Sequence, residues 1–136
     1  MPVAKAIEIE AAMASRRPRY LNLFRIRLPL PGVVSFLHRA SGALLFLAIP
    51  LFLAAFQLTL GSAETFEKAR QGFGNPLAKT ALILLLWGFL HHFFAGLRFL
   101  FMDMGLGVDL GKTRRNSWLV VAFSLVLTAA IGGRLW

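Results

Sequence analysis

The groups in this chain equipped for ligation or charge chemistry inside an apolar setting are its three histidines and the arginines beside them. His91, His92 and Arg98 stand in the run Trp87-Gly88-Phe89-Leu90-His91-His92-Phe93-Phe94-Ala95-Gly96-Leu97-Arg98-Phe99-Leu100-Phe101-Met102-Asp103, which is otherwise almost wholly apolar. Ionisable side chains are costly in hydrocarbon, so their presence there points to use. Gly88, His92 and Gly96 recur every four residues and therefore share one helix face. A histidine with glycine one turn above and below leaves a flat recess in which a broad ligand can lie against the backbone while imidazole reaches its centre. A porphyrin ligated through its iron has that shape. The same spacing also describes a small-xxx-small packing seam in which His92 hydrogen-bonds a neighbouring helix, and the spacing leaves both readings open. His91 is turned about 100° from His92, so an unbroken helix cannot aim both at one metal. It reads as a hydrogen-bonded interface residue.

A second set opens the first apolar run, where Ser35, His38, Arg39 and Gly42 fall at i, i+3, i+4 and i+7 on one face. Ser35 and Arg39 offer a hydroxyl donor and a fixed cation at the edge of the hydrocarbon. They would suit a quinone carbonyl whose tail lies in lipid, and would stabilise negative charge as it is reduced. The plainer alternative is a helix cap with an arginine snorkelling to phosphate. His92 lies 11 residues before Asp103, or roughly 16 Å at helical rise. Arg98 is nearer that end, and His38 and Arg39 are expected at the same mouth. Three potential cations there would suit carboxylates such as haem propionates. His38 is expected to lie too shallow to oppose His92, so a six-coordinate haem would take its other ligand from another polypeptide.

The elements that must position these groups follow from composition. With 136 residues, 57% hydrophobic content and a mean hydropathy of +0.67, the chain is more apolar than one small core can hide from water, which implies a membrane protein. The absence of cysteine excludes disulfides, thiolate-held iron–sulfur clusters and haem attachment through Cys-x-x-Cys-His. The net charge of +9 reads as cationic flanks to membrane spans, and no polar module remains to bind nucleic acid. Residues 1–30 carry six Lys/Arg and no clean apolar segment, so no signal peptide is expected.

The expected fold is an all-α membrane protein with a cytoplasmic or interfacial amino-terminal segment over 1–32 and a three-helix transmembrane domain over 33–136. Its spans are placed at about 33–60, 77–102 and 117–136, the first tolerating Pro50 with a kink. Residues 61–76 and 103–116 read as loops, the former with a short amphipathic turn around Glu64–Arg70. Arg134 and Trp136 read as interfacial anchors. Lys5, Arg16, Arg17, Arg19, Arg25, Arg27, Arg39, Lys112, Arg114 and Arg115 fall on one side, against Lys68, Arg70, Lys79 and Arg134 on the other. That excess of ten over four places the amino terminus in the cytoplasm.

Arg17-Pro18 followed by Leu21-Asn22-Leu23, then Ser35-x-x-His38-Arg39-x-Ser41-Gly42, then His92-x-x-x-Gly96-x-Arg98-x-x-x-x-Asp103 resembles the cytochrome b membrane-anchor subunits of succinate dehydrogenase, respiratory complex II, over about Arg17 to Trp136. The resemblance implies one half of a heterodimeric anchor bundle in a bacterial cytoplasmic (inner) membrane, without independent activity, flavin or iron–sulfur cluster of its own. Its implied partners are an iron–sulfur subunit, a flavoprotein subunit, a second small anchor, ubiquinone or menaquinone, and membrane lipids. On that pattern His92 is the axial ligand of haem b, shared with the second anchor. His38, Arg39 and Arg98 serve the propionate end, and Ser35 and Arg39 the quinone. A quinol:fumarate reductase anchor would have the same architecture, and a cofactor-free scaffold or transporter is the reading from another class. The chain departs from the pattern at Phe99, where relatives often carry a second histidine, and at His91, which precedes the motif histidine.

Overall fold

A computed structural model describes residues 27–135 together with Val3, Lys5, Ile7 and Glu8. The Arg17-Pro18 and Leu21-Asn22-Leu23 motifs and Trp136 lie outside the described residues. Among the described residues from 27 onward, four helices follow in order: α1 (Leu30–Gly61), α2 (Ala63–Gly74), α3 (Pro76–Asp103) and α4 (Leu110–Leu135). There is no strand among the described residues. Helices α1, α3 and α4 are each long and apolar enough to cross a membrane.

Helix boundaries follow local chemistry. Helix α1 begins with Pro31 in its first turn, where a missing N–H removes no helical bond. It continues through Pro50 to Gly61. At 32 residues it spans about 48 Å, more than a hydrocarbon layer of about 30 Å needs, so its ends project beyond it. Asn75 caps α3 by accepting from the Leu77 N–H at 2.8 Å, with Pro76 as the first helical residue. The other end of α3 closes in a Schellman arrangement. Leu106 N–H donates to Phe101 O at 2.9 Å and Gly105 N–H to Met102 O at 2.9 Å, with Gly105 at φ 77°.

Two connections differ from the sequence expectation. The segment placed as a loop over 61–76 carries the 12-residue helix α2. Ser62 and Thr65 form a reciprocal capping box, Ser62 N–H donating to Thr65 Oγ1 at 2.8 Å and Thr65 N–H to Ser62 Oγ at 3.2 Å. Glu64–Lys68 at 2.7 Å and Glu67–Arg70 at 2.8 Å then support its exposed face. The expected loop over 103–116 shortens to six residues, because α4 starts at Leu110 rather than near 117. Lys112, Arg114 and Arg115 therefore ride on the first turns of α4.

Packing is antiparallel between α1 and α3 and between α3 and α4. One small residue from each span, Val34, Ala95 and Val120, meets at the centre, with Phe94 and Val121 packed around them. Small side chains dominate because lipid competes with protein for apolar contact, so close approach rather than exclusion of water joins the helices. Buried Ser117, Ser124 and Thr128 on α4 serve the same end. Each hydroxyl returns to its own helix, donating to Thr113 O, Val121 O and Ser124 O. Most large apolar side chains of α1 remain exposed, Phe46, Leu51 and Leu60 among them, which is the surface of a helix facing lipid or other helices.

The exposed α2 network sets one titration. Hydrogen bonds from Arg70, and secondarily from Gln71, hold the Glu67 carboxyl down to about 2. A carboxyl lowered by folding stabilises α2 above its unfolded value and ceases to do so as pH falls through the folded one. Isotope-edited infrared titration should find Glu67 ionised down to about pH 2, returning toward ordinary glutamate behaviour in R70A.

Candidate functional site

The α1–α3 seam holds the residues of interest. Its register pairs Val34 with His91, His38 with Gly96 and His92, and Ser41 with Gly88. The His38 and His92 rings stack with centroids 4.2 Å apart and planes 9° from parallel. Gly42 on α1 admits the imidazole of His92, and Gly96 on α3 faces that of His38. A Cβ on Gly42 would stand 2.8 Å from His92 Cε1, closer than real contacts allow, and one on Gly96 would stand 3.6 Å from His38 Nε2. A Cβ on Gly88 would lie 3.9 Å from that of Ser41. Gly88 and Gly96 thus face α1 at ordinary contact distances, and the flat face read from the sequence is covered by α1.

Within that seam the protonation of His92 is determined by its partner. Its Nδ1 lies 3.0 Å from the His38 carbonyl oxygen, which can only accept, so Nδ1 carries the proton. Ser41 Oγ donates to the same carbonyl at 3.0 Å and sits 3.4 Å from His92 Nδ1. A neutral imidazole protonated at Nδ1 leaves Nε2 as its basic, unprotonated nitrogen, the form in which histidine ligates a metal. His92 is partly exposed, so its ring is not sealed within the bundle.

His38 lies at the level of His92, contrary to the shallow position expected. The reason is that α1 starts at Leu30, which puts His38 roughly 12 Å inside its helix, not far from the roughly 16 Å of His92. With the two rings stacked in nearly parallel planes, their lone pairs do not converge on one point. His38 is thereby kept from opposing His92 by orientation rather than depth. Arg39 Nη2 donates to Ser35 Oγ at 3.4 Å within the same helix. Ser35 is partly buried and Arg39 exposed.

His91 and Arg98 lie elsewhere. His91 is 1% exposed, with Nε2 3.5 Å from Val34 O, Nδ1 without a partner, and its ring 5.6 Å from that of Trp87. It occupies an interface, as expected. Arg98 is about 120° round α3 from His92 and lines a cleft against α4 instead of joining His38 and Arg39. Phe99 stands between, 5.2 Å from the His38 ring and 5.3 Å below the Arg98 guanidinium carbon. No group of three or more His, Cys, Asp or Glu able to enclose a metal ion occurs among the described residues. Sequence reading passed over Gly42 as a contact of His92, although the face shared by Ser35, His38, Arg39 and Gly42 already carried it.

Comparison with known proteins extends this picture. Residues 13–131 match the family described as succinate dehydrogenase/fumarate reductase transmembrane subunit. The succinate dehydrogenase cytochrome b556 subunit of Coxiella burnetii is 32% identical over 125 residues, covering 91% of this chain and 100% of that protein. The cytochrome b556 subunit of Paracoccus denitrificans is 31% identical over 111 residues, with 82% and 85% covered. That of Rickettsia felis is 29% identical over 115 residues, with 84% and 89% covered.

Because Gly42 leaves no room for a methyl beside His92, G42A should displace the imidazole and cost about 1–3 kcal/mol of stability. Nitrogen NMR of labelled histidine should report an Nδ1-protonated His92 in the parent protein. In G42A that signature should be lost or mixed, with a lower thermal midpoint.

Proposed function

The chain belongs to the succinate dehydrogenase/fumarate reductase transmembrane subunit family, and from that membership we propose that it binds haem b jointly with a second anchor subunit and helps form the quinone-reduction site of a succinate:quinone oxidoreductase. The observation that carries this reading is the hydrogen bond from His92 Nδ1 to His38 O, which leaves Nε2 free to ligate. The Coxiella and Paracoccus relatives are named as cytochrome b556 subunits, consistent with a b-type haem.

When bound, haem supplies a one-electron redox centre. The chain's own residues orient its ligand. The His38 carbonyl fixes the tautomer and ring plane of His92, Ser41 donates to that same carbonyl, and Gly42 gives the ring its place. This is the usual outer-shell support of a ligating histidine. His38 and Arg39 flank the same end of the seam, where propionate carboxylates find a cation and a ring N–H.

The quinone is the substrate. Ser35 and Arg39 present a hydroxyl and a guanidinium from one helix face. Ser35 donates to a quinone carbonyl oxygen, and Arg39 stabilises the negative charge that develops there as electrons arrive from the iron–sulfur subunit. The exposure of Arg39 leaves it accessible to a substrate entering from lipid. The flavoprotein subunit carries the succinate chemistry, and this chain has no independent activity. The amino terminus faces the cytoplasm of a bacterial inner membrane, supported by the ten-to-four distribution of Lys and Arg. A fumarate-reducing complex would use the same anchor, and comparing succinate oxidation with fumarate reduction in membranes separates the two.

In the purified complex, H92A should abolish the reduced-minus-oxidised b-type spectrum while H91A retains it. The opposite pattern would transfer the ligand role to His91. In an assembled complex, R39A should slow quinone reduction about tenfold or more, the loss of one charged hydrogen bond, with succinate oxidation by an artificial acceptor unchanged.

A further inference from the structure

Arg98 is a buried cation that the proposed haem and quinone sites do not use. It is 6% exposed, and its Nε and Nη1 are buried without a hydrogen-bond partner. The Phe99 ring beneath the guanidinium offsets part of that cost but accepts no conventional hydrogen bond. The nearest carboxylates in sequence are Asp103 and Asp109. Asp103 is exposed at the end of α3, and Asp109 pairs with Lys112 at 2.6 Å.

Arg98 lines a cleft of about 270 Å³ between α3 and α4, walled also by Phe94, Phe101, Leu119 and Phe123, with Asn116 as a second polar group. We propose that this cleft binds an anionic phospholipid, its phosphate held by Arg98 and its acyl chains lying between α3 and α4.

Three observations favour that occupant. A buried guanidinium with two idle donors requires an anion offering several oxygens, and phosphate meets its forked geometry. Arg98 lies five residues before the end of α3, roughly 7.5 Å inside it. Because α3, with 28 residues, outruns a hydrocarbon layer of about 30 Å, that level falls near the headgroups. Lys112, Arg114 and Arg115 stand at the same end, on the first turns of α4, where basic residues concentrate anionic lipid. A haem propionate is disfavoured by position, since Arg98 is turned about 120° from His92 and Phe99 separates it from His38. The inference does not depend on haem or quinone binding by this chain.

The test uses the full chain purified with its co-isolating subunits, delipidated in neutral detergent and titrated with phosphatidylglycerol or phosphatidylcholine under native mass spectrometry. One phosphatidylglycerol should bind per chain, in preference to phosphatidylcholine. R98Q should weaken that binding about tenfold or more, and R98K should restore part of it. L119W, which fills the cleft from α4 and leaves the guanidinium intact, should also expel the lipid, and it decides the matter should R98Q fail to assemble. The haem b spectrum and midpoint potential of R98Q should match the parent. Unchanged phosphatidylglycerol binding in R98Q or L119W overturns the proposal, as does equal binding of phosphatidylcholine. A shifted haem potential in R98Q with lipid binding intact does so too, and would assign the arginine to a propionate.

Discussion

Everything else in the described bundle depends on how closely α1 approaches α3. Two imidazoles occupy this seam, and His92 fits because it faces Gly42, where a Cβ would stand 2.8 Å from its Cε1, whereas Gly96 faces His38 at an ordinary contact distance. The demand for glycine falls on Gly42, since a methyl at Gly96 would meet His38 Nε2 at 3.6 Å. With the ring seated over Gly42, the α1 backbone lies within hydrogen-bonding distance of His92 Nδ1. Packing and protonation state are therefore one constraint, and a change in helix separation of less than an ångström would alter both.

Polar groups in such a bundle need partners from nearby backbone, because lipid offers none. Ser41, Ser117, Ser124 and Thr128 all solve the problem within their own helix by donating to a carbonyl three or four residues earlier. His92 solves it across helices, and His91 only weakly, at 3.5 Å. Arg98 does not solve it at Nε or Nη1. That gradient separates groups that serve packing from those whose satisfaction depends on something beyond these residues.

The spans were legible because their apolar runs are long and their interruptions few. Their boundaries were less so. Lys112, Thr113, Arg114, Arg115 and Asn116 have loop-like polarity, yet a helix that outruns the hydrocarbon carries such residues in its first turns at no desolvation cost. Helix α2 was underestimated because hydropathy says little about a surface helix stabilised by a capping box and i,i+3 or i,i+4 ion pairs. The shared face of Ser35, His38, Arg39 and Gly42 was readable from periodicity. Its meeting with His92 was not, since depth was counted from the apolar run, whereas proline in the first turn lets α1 begin earlier.

The same geometry bears on whether one chain completes a haem site. Three histidines are present. His38 stacks on His92 in a nearly parallel plane, and two imidazoles ligating opposite sides of one iron must instead point their nitrogens at each other across the porphyrin. His91 is turned about 100° from His92 on α3 and is closed in by α1 and Trp87. If His92 ligates a six-coordinate haem, the second ligand has to come from a surface that this bundle leaves open. Ring orientation within the chain thus agrees with the proposed dependence on a second anchor, which itself rests on the family.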